Sequence, residues 1–239
     1  DDGFFSISEN FLNSSQIFDY EAKNTYSICI RTTDSQALTY DKALTIDIVN
    51  LYDSQTFADV PLDHWAGAFI QTLYTAGITG GCSTNPLNYC PENEVSRAQM
   101  AVFLLKGIHG SSYLPPVLGS STGFTDVSPD HWAAAWIKQL AAESITGGCG
   151  SGIYCPESSV TRAQMAVFLL KSIHGAAYSP PPASGIFADV STDHWAAAWV
   201  EQLATESITS GCDTNLYCPE NPVTRAQMAV FLVKSFKLP

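Results

Sequence analysis

One motif occurs three times in tandem along this chain, and that repetition limits the possible folds more than any other feature. The copies begin at Phe57, Phe124 and Phe187. Each opens with F-x-D-V-x-x-x-H-W-A and closes with [ST]-R-A-Q-M-A-V-F-L. A single unit of this size is too small to bury both its faces, so we expect the three units to pack on one another.

Each copy is predicted to form two helices joined by a loop. In the first helix of the second copy, the residues at helical spacing are Trp132, Trp136, Ile137 and Leu140. Ser128 and Pro129 are typical of the start of that helix, with proline at its first position. Gly147 and Gly148 are typical of its end.

The second helix of each copy is predicted to begin with a capping box, in which two side chains satisfy free backbone N–H groups. The boxes are Ser96/Gln99, Thr161/Gln164 and Thr224/Gln227. His174 and Gly175 suit the end of the second of these helices. An arginine follows each cap, where the helix dipole disfavours a cation. The three arginines are Arg97, Arg162 and Arg225.

Two interpretations explain an arginine at this position. Free backbone N–H groups and a guanidinium can together bind one anion, such as a carboxylate. Alternatively, the arginine forms a structural salt bridge to a carboxylate such as Asp126 or Glu157. The residues alone do not decide between them. Asp-His-Trp also recurs in each copy, but no nucleophile recurs beside it, so we expect no enzymatic activity.

Six of the seven cysteines form pairs that recur at the same place in each copy: Cys82/Cys90, Cys149/Cys155 and Cys212/Cys218. We interpret each pair as a local disulfide formed in an oxidising compartment. A metal site is the alternative, but it needs four ligands at close spacing and no pair has a second pair nearby. Cys29 is left over.

Residues 1–54 differ from the repeats. The segments "TYSICIRTTDS" and "KALTIDIVN" alternate as strands do, and "FFSISEN" and "FLNSSQIFDYE" are weaker strand candidates. We interpret this region as part of a β-sandwich. Strand alternation places Cys29 opposite Tyr26 and Ile28, on the face predicted to be exposed. The predicted division is 1–54, then repeats at 55–110, 120–175 and 185–239, with joints rich in proline and serine.

Charge and hydropathy exclude several classes. The net charge of −12 argues against a nucleic-acid or anionic-membrane surface, which needs clustered Lys and Arg. No segment approaches the roughly 18–20 apolar residues of a membrane-spanning helix. Without an initiator Met or a signal peptide, the chain is expected to be a piece of a longer, processed protein.

The repeats resemble S-layer homology (SLH) domains, through the opening motif, the "GIT-x-G" turn and the "[ST]-R-A-Q-M-A" helix start. The resemblance implies a mostly α fold, in which three helix–loop–helix repeats form a pseudo-threefold unit with grooves between them. It also implies grooves that bind pyruvylated cell-wall polysaccharide through an arginine of the family's T-R-A-E motif. This chain has Gln in place of that Glu, and a cystine loop in place of G-Y-P-D-G-T-F-x-P. The family's ligand arginine maps onto Arg97, Arg162 and Arg225.

The same resemblance makes Trp65, Trp132 and Trp195 groove-lining residues that stack on sugars, the alternative being a role in the core. Asp59, Asp126 and Asp189 are interpreted as turn or cap residues that also touch the ligand. Residues 1–54 resemble the C-terminal half of a bacterial cadherin-like domain, whose calcium ligands would map onto Glu21 and Asp34, with Asp53 in the linker. No other cofactor is expected.

The expected function is non-covalent anchoring of a larger extracellular protein to an acidic cell-surface polysaccharide, without membrane insertion. The alternative is a structural subunit of an extracellular filament or S-layer lattice, in which the repeats contact copies of the same chain. Tyr113, Tyr178 and Cys29 would serve those contacts. A catalytic domain, if attached, would precede residue 1.

Overall fold

The computed structural model describes residues 2–9, 11–16, 18, 23–48 and 55–239. The chain divides into two compact units, Asp1–Ser54 and Gln55–Pro239. No helix in the described part of the chain combines the length and the apolar character needed to cross a membrane.

The first unit contains two antiparallel hairpins after a 3-10 turn at Asp2–Phe4. Strand β1 (Phe5–Ser8) pairs with β2 (Phe11–Ser14), and β3 (Thr25–Thr33) pairs with β4 (Thr39–Asp47). All four predicted strands are therefore confirmed. Among the described residues, however, the hairpins are separate two-stranded sheets. The expected sheet of a β-sandwich is not formed there, and the cadherin-like resemblance stays a prediction.

Strand β3 alternates as its sequence predicts. Tyr26 and Ile28 are buried, each 5% exposed, whereas Cys29 between them is exposed. Tyr26 packs against aromatic rings of the first hairpin and of Phe18, with ring centroids 4.6 Å apart in the Phe18 pair. Among the described residues of this unit few other apolar side chains are buried, so aromatic packing supplies most of the core seen there.

The second unit is helical, and each repeat is a short helix, a cystine loop and a long helix. The short helices are α1 (Gly67–Thr75), α3 (Ala134–Ala142) and α5 (Ala197–Thr205), and the long helices are α2 (Arg97–His109), α4 (Arg162–His174) and α6 (Arg225–Phe236). The first repeat adds two short strands in its loop, β5 (Ser83–Thr84) and β6 (Leu87–Asn88). The mostly α prediction holds for this unit.

The long helices pack on one another, and each short helix packs on the long helix of a different repeat. Helix α3 contacts α2, α5 contacts α4, and α1 contacts α6. Three fully buried valines join the repeats through backbone hydrogen bonds of 2.9–3.0 Å: Val95 to Val223, Val223 to Val160, and Val160 to Val95. The three repeats thus share one apolar core.

The short helices begin later than the sequence predicts. Helix α3 starts at Ala134 rather than at Pro129, because residues 128–132 form turns closed by hydrogen bonds such as His131 N–H to the Ser128 carbonyl. The Nδ1 atom of His131 then accepts the Ala133 N–H at 3.1 Å. This histidine replaces the predicted proline start, and it leaves Trp132 outside the apolar face of the helix.

The predicted end of α3 is also wrong. The helix ends at Ala142, and Ser144 takes the left-handed conformation with φ of 58°. Gly148 lies in the cystine loop instead, with φ of +94°, where a Cβ atom would lie 2.2 Å from the Ile153 carbonyl oxygen. Close packing of the loop therefore explains this glycine. The predicted end of α4 at His174 and Gly175 is confirmed.

The three predicted disulfides are all formed, namely Cys82–Cys90, Cys149–Cys155 and Cys212–Cys218. Each closes the loop between the two helices of one repeat. Because the sulfur atoms are bonded to one another, they are not available as thiolate ligands, and the metal-site alternative is wrong for these cysteines.

Candidate functional site

The three arginines are the first residues of the long helices and are almost fully buried. Arg97, Arg162 and Arg225 are 3%, 4% and 5% exposed. Burial of the charged group lowers the pKa of each guanidinium from its usual value, partly opposed by a tyrosine and an aspartate nearby. A buried arginine needs hydrogen-bond partners, and the structure shows which nitrogen of each guanidinium has one.

Each arginine is held by a tyrosine of another repeat. The Nε atom of Arg97 donates to the Tyr154 carbonyl at 2.7 Å, and the Tyr154 hydroxyl donates to the Arg97 carbonyl at 2.8 Å. The other two pairs have the same distances: Arg162 with Tyr217, and Arg225 with Tyr89. These reciprocal bonds close three boundaries between repeats.

Two aromatic rings lie close to each guanidinium. The Arg97 guanidinium carbon lies 4.9 Å from the Tyr154 ring centroid and 5.5 Å from that of Phe168. The other two arginines are stacked in the same way on Tyr217 and Phe231 and on Tyr89 and Phe103. Burial also raises the pKa of Tyr154 to about 12, so its hydroxyl stays a donor at neutral pH.

Backbone carbonyls of the neighbouring loop explain why a cation is tolerated at a helix N-terminus. The Arg97 N–H donates to the Ser158 carbonyl and the Ala98 N–H to the Pro156 carbonyl, both at 2.9 Å. These N–H groups are therefore not free, and the expectation that they bind an anion alongside the arginine is wrong. Within 55–239 no ion pair joins any of the three arginines to a carboxylate, so the salt bridge to Asp126 or Glu157 is not formed either.

The three aspartates of the opening motif shape the cystine loops. The two carboxylate oxygens of Asp126 accept the N–H groups of Tyr154 and Cys155 at 2.8 and 2.7 Å. Desolvation raises the pKa of Asp126, but these hydrogen bonds and the nearby charge of Arg97 outweigh it and hold that pKa below its usual value. Asp59 and Asp189 bind the equivalent N–H groups. Their predicted role as turn residues agrees with these contacts, while their contact with a ligand stays a prediction.

One nitrogen of every arginine is left without a partner. The Nη2 atoms of Arg97, Arg162 and Arg225 are buried and form no hydrogen bond in the described structure. Leaving such a donor unpaired costs roughly 1–3 kcal/mol. Three equivalent unpaired donors indicate that the same kind of site occurs three times, and each lies beside a groove.

The structure contains three grooves, each built from all three repeats. The Arg97 groove is lined by Arg97, Gln164, Phe168, Lys171, Trp195 and the loop at 145–149. The Arg162 groove is lined by Arg162, Gln227, Phe231, Lys234, Trp65 and the loop at 208–212. The Arg225 groove is lined by Arg225, Gln99, Phe103, Lys106, Trp132 and the loop at 78–82, with Asn93 and Glu94. Their volumes of about 310, 280 and 410 Å³ lie at the lower end of the range of ligand sites.

The structure places a tryptophan at the mouth of each groove. Trp65, Trp132 and Trp195 are 61%, 61% and 60% exposed, so the alternative that they are core residues is wrong. A histidine precedes each of these tryptophans and contacts a glutamate. In the second repeat, the Nε2 atom of His131 lies 3.0 Å from the Glu157 carboxylate. Trp136 and Trp199 are instead half-buried against the core, as expected. Exposed indole faces are surfaces on which sugar rings stack.

Sequence analysis missed a lysine in each groove, namely Lys106, Lys171 and Lys234. Helical spacing in the sequence could have revealed these lysines. Gln164, Phe168 and Lys171 are spaced by four and three residues and therefore share one face of α4. Each groove thus combines a buried guanidinium, an ammonium group and an indole. This arrangement suits a ligand that carries both a sugar ring and a negative charge.

Other predicted residues lie elsewhere. Asp34 is described, and its Oδ1 atom accepts the N–H groups of Gln36 and Leu38 at 2.8 and 2.9 Å. Glu21 and Asp53 lie outside the described residues, so the calcium site stays a prediction. Tyr113 and Tyr178 pack within the chain, each stacked on a histidine, His109 at 4.4 Å and His174 at 4.3 Å. Their expected role in contacts with another chain stays a prediction.

The sequence profile of the S-layer homology domain matches residues 56–101, 123–166 and 186–229. The chain belongs to the S-layer homology family. SLH proteins are cell-surface proteins, and the three matched segments contain all three arginines and tryptophans of the grooves. Membership of this family makes cell-surface anchoring the function of this part of the chain.

Three relatives with different names match this chain over 124 to 185 residues. The chain is 28% identical over 185 residues to a cellulosome-anchoring protein of Acetivibrio thermocellus, covering 77% of this chain and 39% of the relative. It is 26% identical over 184 residues to an S-layer protein of Bacillus thuringiensis subsp. finitimus, covering 77% and 21%. It is 31% identical over 124 residues to an exoglucanase of Acetivibrio thermocellus, covering 51% and 11%. The chain therefore spans well under half the length of these relatives.

Proposed function

We propose that residues 55–239 form a pseudo-threefold SLH unit that holds a larger extracellular protein on the cell surface by binding an acidic polysaccharide in its grooves. A pyruvyl carboxylate is the acidic group that best fits the proposal. The unpaired Nη2 atom of each buried arginine beside a groove is the observation that carries it.

The charge distribution supports an anionic ligand. The whole chain carries a net charge of −12, which repels a polyanion on average. The grooves depart from that average, because each contains one arginine and one lysine. Binding of an anion is therefore confined to these positions, where a charge-assisted hydrogen bond contributes roughly 1.5–3 kcal/mol.

The cyclic arrangement supports the pseudo-threefold part of the proposal. Three reciprocal Arg–Tyr pairs and three Val–Val backbone bonds repeat the same contact at each boundary. A glycan chain has many similar acidic groups, so more than one groove on the same unit raises its apparent affinity through multivalency. The cellulosome-anchoring relative is consistent with such a role.

Sedimentation with purified cell walls tests the proposal. The wild-type chain should pellet with the walls, and mild acid treatment that removes pyruvyl ketals from the walls should abolish this. A variant with Trp65, Trp132 and Trp195 replaced by Ala should stay in the supernatant. The matched control replaces Leu114 and Val117, which are 78% and 98% exposed and line no groove, with Ser. Equal pelleting of the tryptophan variant and the control would contradict binding in the grooves.

Measurements on the chain without cell walls test the rival function. A structural lattice subunit would sediment without walls, through contacts between copies of the chain. Light scattering of the wild-type chain alone should therefore give the mass of an unassembled protein. Ordered assemblies that form in the absence of any glycan would favour the lattice.

A further inference from the structure

The three grooves are not chemically equivalent, although the repeats that build them are closely similar. We propose that they differ in ligand preference: the Arg162 groove is the principal site for an acidic sugar, the Arg97 groove is second, and the Arg225 groove disfavours anions. The preferred ligand residue carries a carboxylate together with a neighbouring hydroxyl or amide N–H donor. This proposal rests on the proposed function, because it ranks the same grooves.

A glutamine distinguishes the first two grooves. In the Arg97 groove, the Oε1 atom of Gln164 accepts a hydrogen bond from the Arg97 Nη1 atom at 3.4 Å. The equivalent Oε1 atom of Gln227 in the Arg162 groove is buried and has no partner in the described structure. The Arg162 groove is therefore lined by one residue with an unpaired donor and one with an unpaired acceptor.

An unpaired donor and acceptor together define the ligand's chemistry. The Nη2 atom of Arg162 lacks an acceptor, which a carboxylate supplies. The Oε1 atom of Gln227 lacks a donor, which a hydroxyl or amide N–H supplies. A sugar with both groups satisfies both protein atoms at once. The same sugar in the Arg97 groove must first displace the bond between Gln164 and Arg97.

The Arg225 groove differs in charge. Glu94 lines it, whereas the residues that line the other two grooves, all within 55–239, include no acid. Its lysine is also engaged, because the Nζ atom of Lys106 donates to the Gly77 carbonyl at 3.4 Å. The Oε1 atom of Gln99 accepts the Ser96 N–H in a complete capping box. This groove thus carries one net positive charge fewer and no free glutamine acceptor.

The exposed tryptophans allow each groove to be observed separately. Trp65, Trp195 and Trp132 mark the Arg162, Arg97 and Arg225 grooves, so their indole N–H signals in ¹H–¹⁵N NMR spectra report on one groove each. Trp136 and Trp199 line none of the grooves and are internal controls. Single Trp→Phe variants assign the five signals.

The experiment titrates the whole chain with a methyl hexoside that carries a pyruvyl ketal, and in parallel with a methyl hexuronoside. The two arms distinguish a ketal carboxylate from a uronic acid. The Trp65 signal should move at the lowest concentration, followed by Trp195 and then Trp132. The methyl ester of each probe, which lacks the charge, should remove this order.

Two variants link the order to its causes. Glu94→Gln should lower the midpoint of the Trp132 titration about two- to five-fold, because it removes the repelling charge. Gln227→Leu should raise the midpoint for Trp65 about five-fold, because the ligand loses one hydrogen bond. Neither change should move the other midpoints.

Equal midpoints for the three signals, or an order led by Trp132, would overturn the ranking and leave glycan binding in the grooves intact. No movement of any groove tryptophan with either probe would instead overturn both the ranking and the proposed function. Movement in the stated order that Glu94→Gln and Gln227→Leu fail to change would refute the assigned causes and with them the proposal.

Discussion

Arg97 and Tyr154 exchange two hydrogen bonds across the boundary between the first and second repeats, one from each side chain to the other residue's carbonyl. The pair places a buried guanidinium at the start of a helix and surrounds it with carbonyl oxygens of another repeat. Each such arginine therefore has a structural role through Nε, while its Nη2 atom has no hydrogen-bond partner in the described structure. The structural role determines how mutation of these arginines should change the free energy of unfolding.

Replacement of Arg162 by Ala should lower the free energy of unfolding by about 2–4 kcal/mol, because it removes the bond to Tyr217 and the packing between two rings. Urea denaturation measures the effect. Thr161→Ala, which removes only the helix cap, is the control and should cost about 1 kcal/mol without weakening wall binding. An Arg162→Ala protein as stable as wild type would contradict the structural role.

Tyr154→Phe should cost about 1–2 kcal/mol, because the buried hydrogen bond from the Tyr154 hydroxyl to the Arg97 carbonyl is lost. The Tyr154 carbonyl still accepts from Arg97, so binding of walls should be unchanged. Tyr74→Phe is the matched control, since Tyr74 is 36% exposed, and it should leave the urea midpoint unchanged. A loss of wall binding in Tyr154→Phe without loss of stability would show that this hydroxyl contacts the ligand.

The parts of the fold that sequence predicted are those encoded locally. Strand alternation, the Ser/Thr caps and the cysteine register all act within a few residues, and the structure confirms them. Of the three predicted capping boxes, however, only Ser96/Gln99 is complete, because the Gln164 and Gln227 side chains do not return to the backbone of the cap. The predicted start of α3 at Pro129 was wrong, because the His131 side chain accepts a backbone N–H in the turn before the helix. The partner of Arg97 could not be predicted, because Tyr154 lies 57 residues away in another repeat. The exposure of the groove tryptophans likewise depends on packing between repeats.

The three disulfides should stabilise the repeats without defining their fold. Each closes a short loop, with sequence separations of 8, 6 and 6, and such loops contribute roughly 2–3 kcal/mol each in the chain-entropy model. Reduction should lower the melting temperature while the far-UV circular dichroism at 20 °C stays helical. Peptide mapping without reductant should recover each pair within its own repeat. A bond between Cys90 and Cys149 would contradict the structure.

Cys29 should react with a thiol reagent in the native protein, because its strand presents it on the exposed face. Reaction with Ellman's reagent should reach one thiol per chain without denaturant. The Cys29→Ser variant is the control and should give no reaction. If the wild-type thiol reacts only after denaturation, its exposure in strand β3 is wrong.

Glu201 should make stability depend on pH. Its carboxylate accepts the N–H groups of Ser184, Gly185 and Ile186 at 2.6–3.0 Å, and so ties the joint before the third repeat to helix α5. Desolvation raises the pKa of Glu201, but these hydrogen bonds outweigh it and leave the pKa below its usual value. Because the folded pKa is lower than the unfolded one of about 4.3, this stabilisation is complete well above pH 4.3 and is lost as the pH falls through the folded pKa.

The Glu201→Gln variant should therefore unfold at lower urea than wild type at pH 7, by about 1–3 kcal/mol, and the difference should shrink at pH 3. Gln offers one acceptor oxygen and an NH₂ group that faces the donors, so it does not replace the carboxylate. Glu92→Gln is the control, because that side chain is 76% exposed and lies 3.7 Å from its only ion-pair partner in the described structure, His64. It should change stability by less than about 0.5 kcal/mol. A difference between wild type and Glu201→Gln that grows toward pH 3 would contradict a lowered pKa.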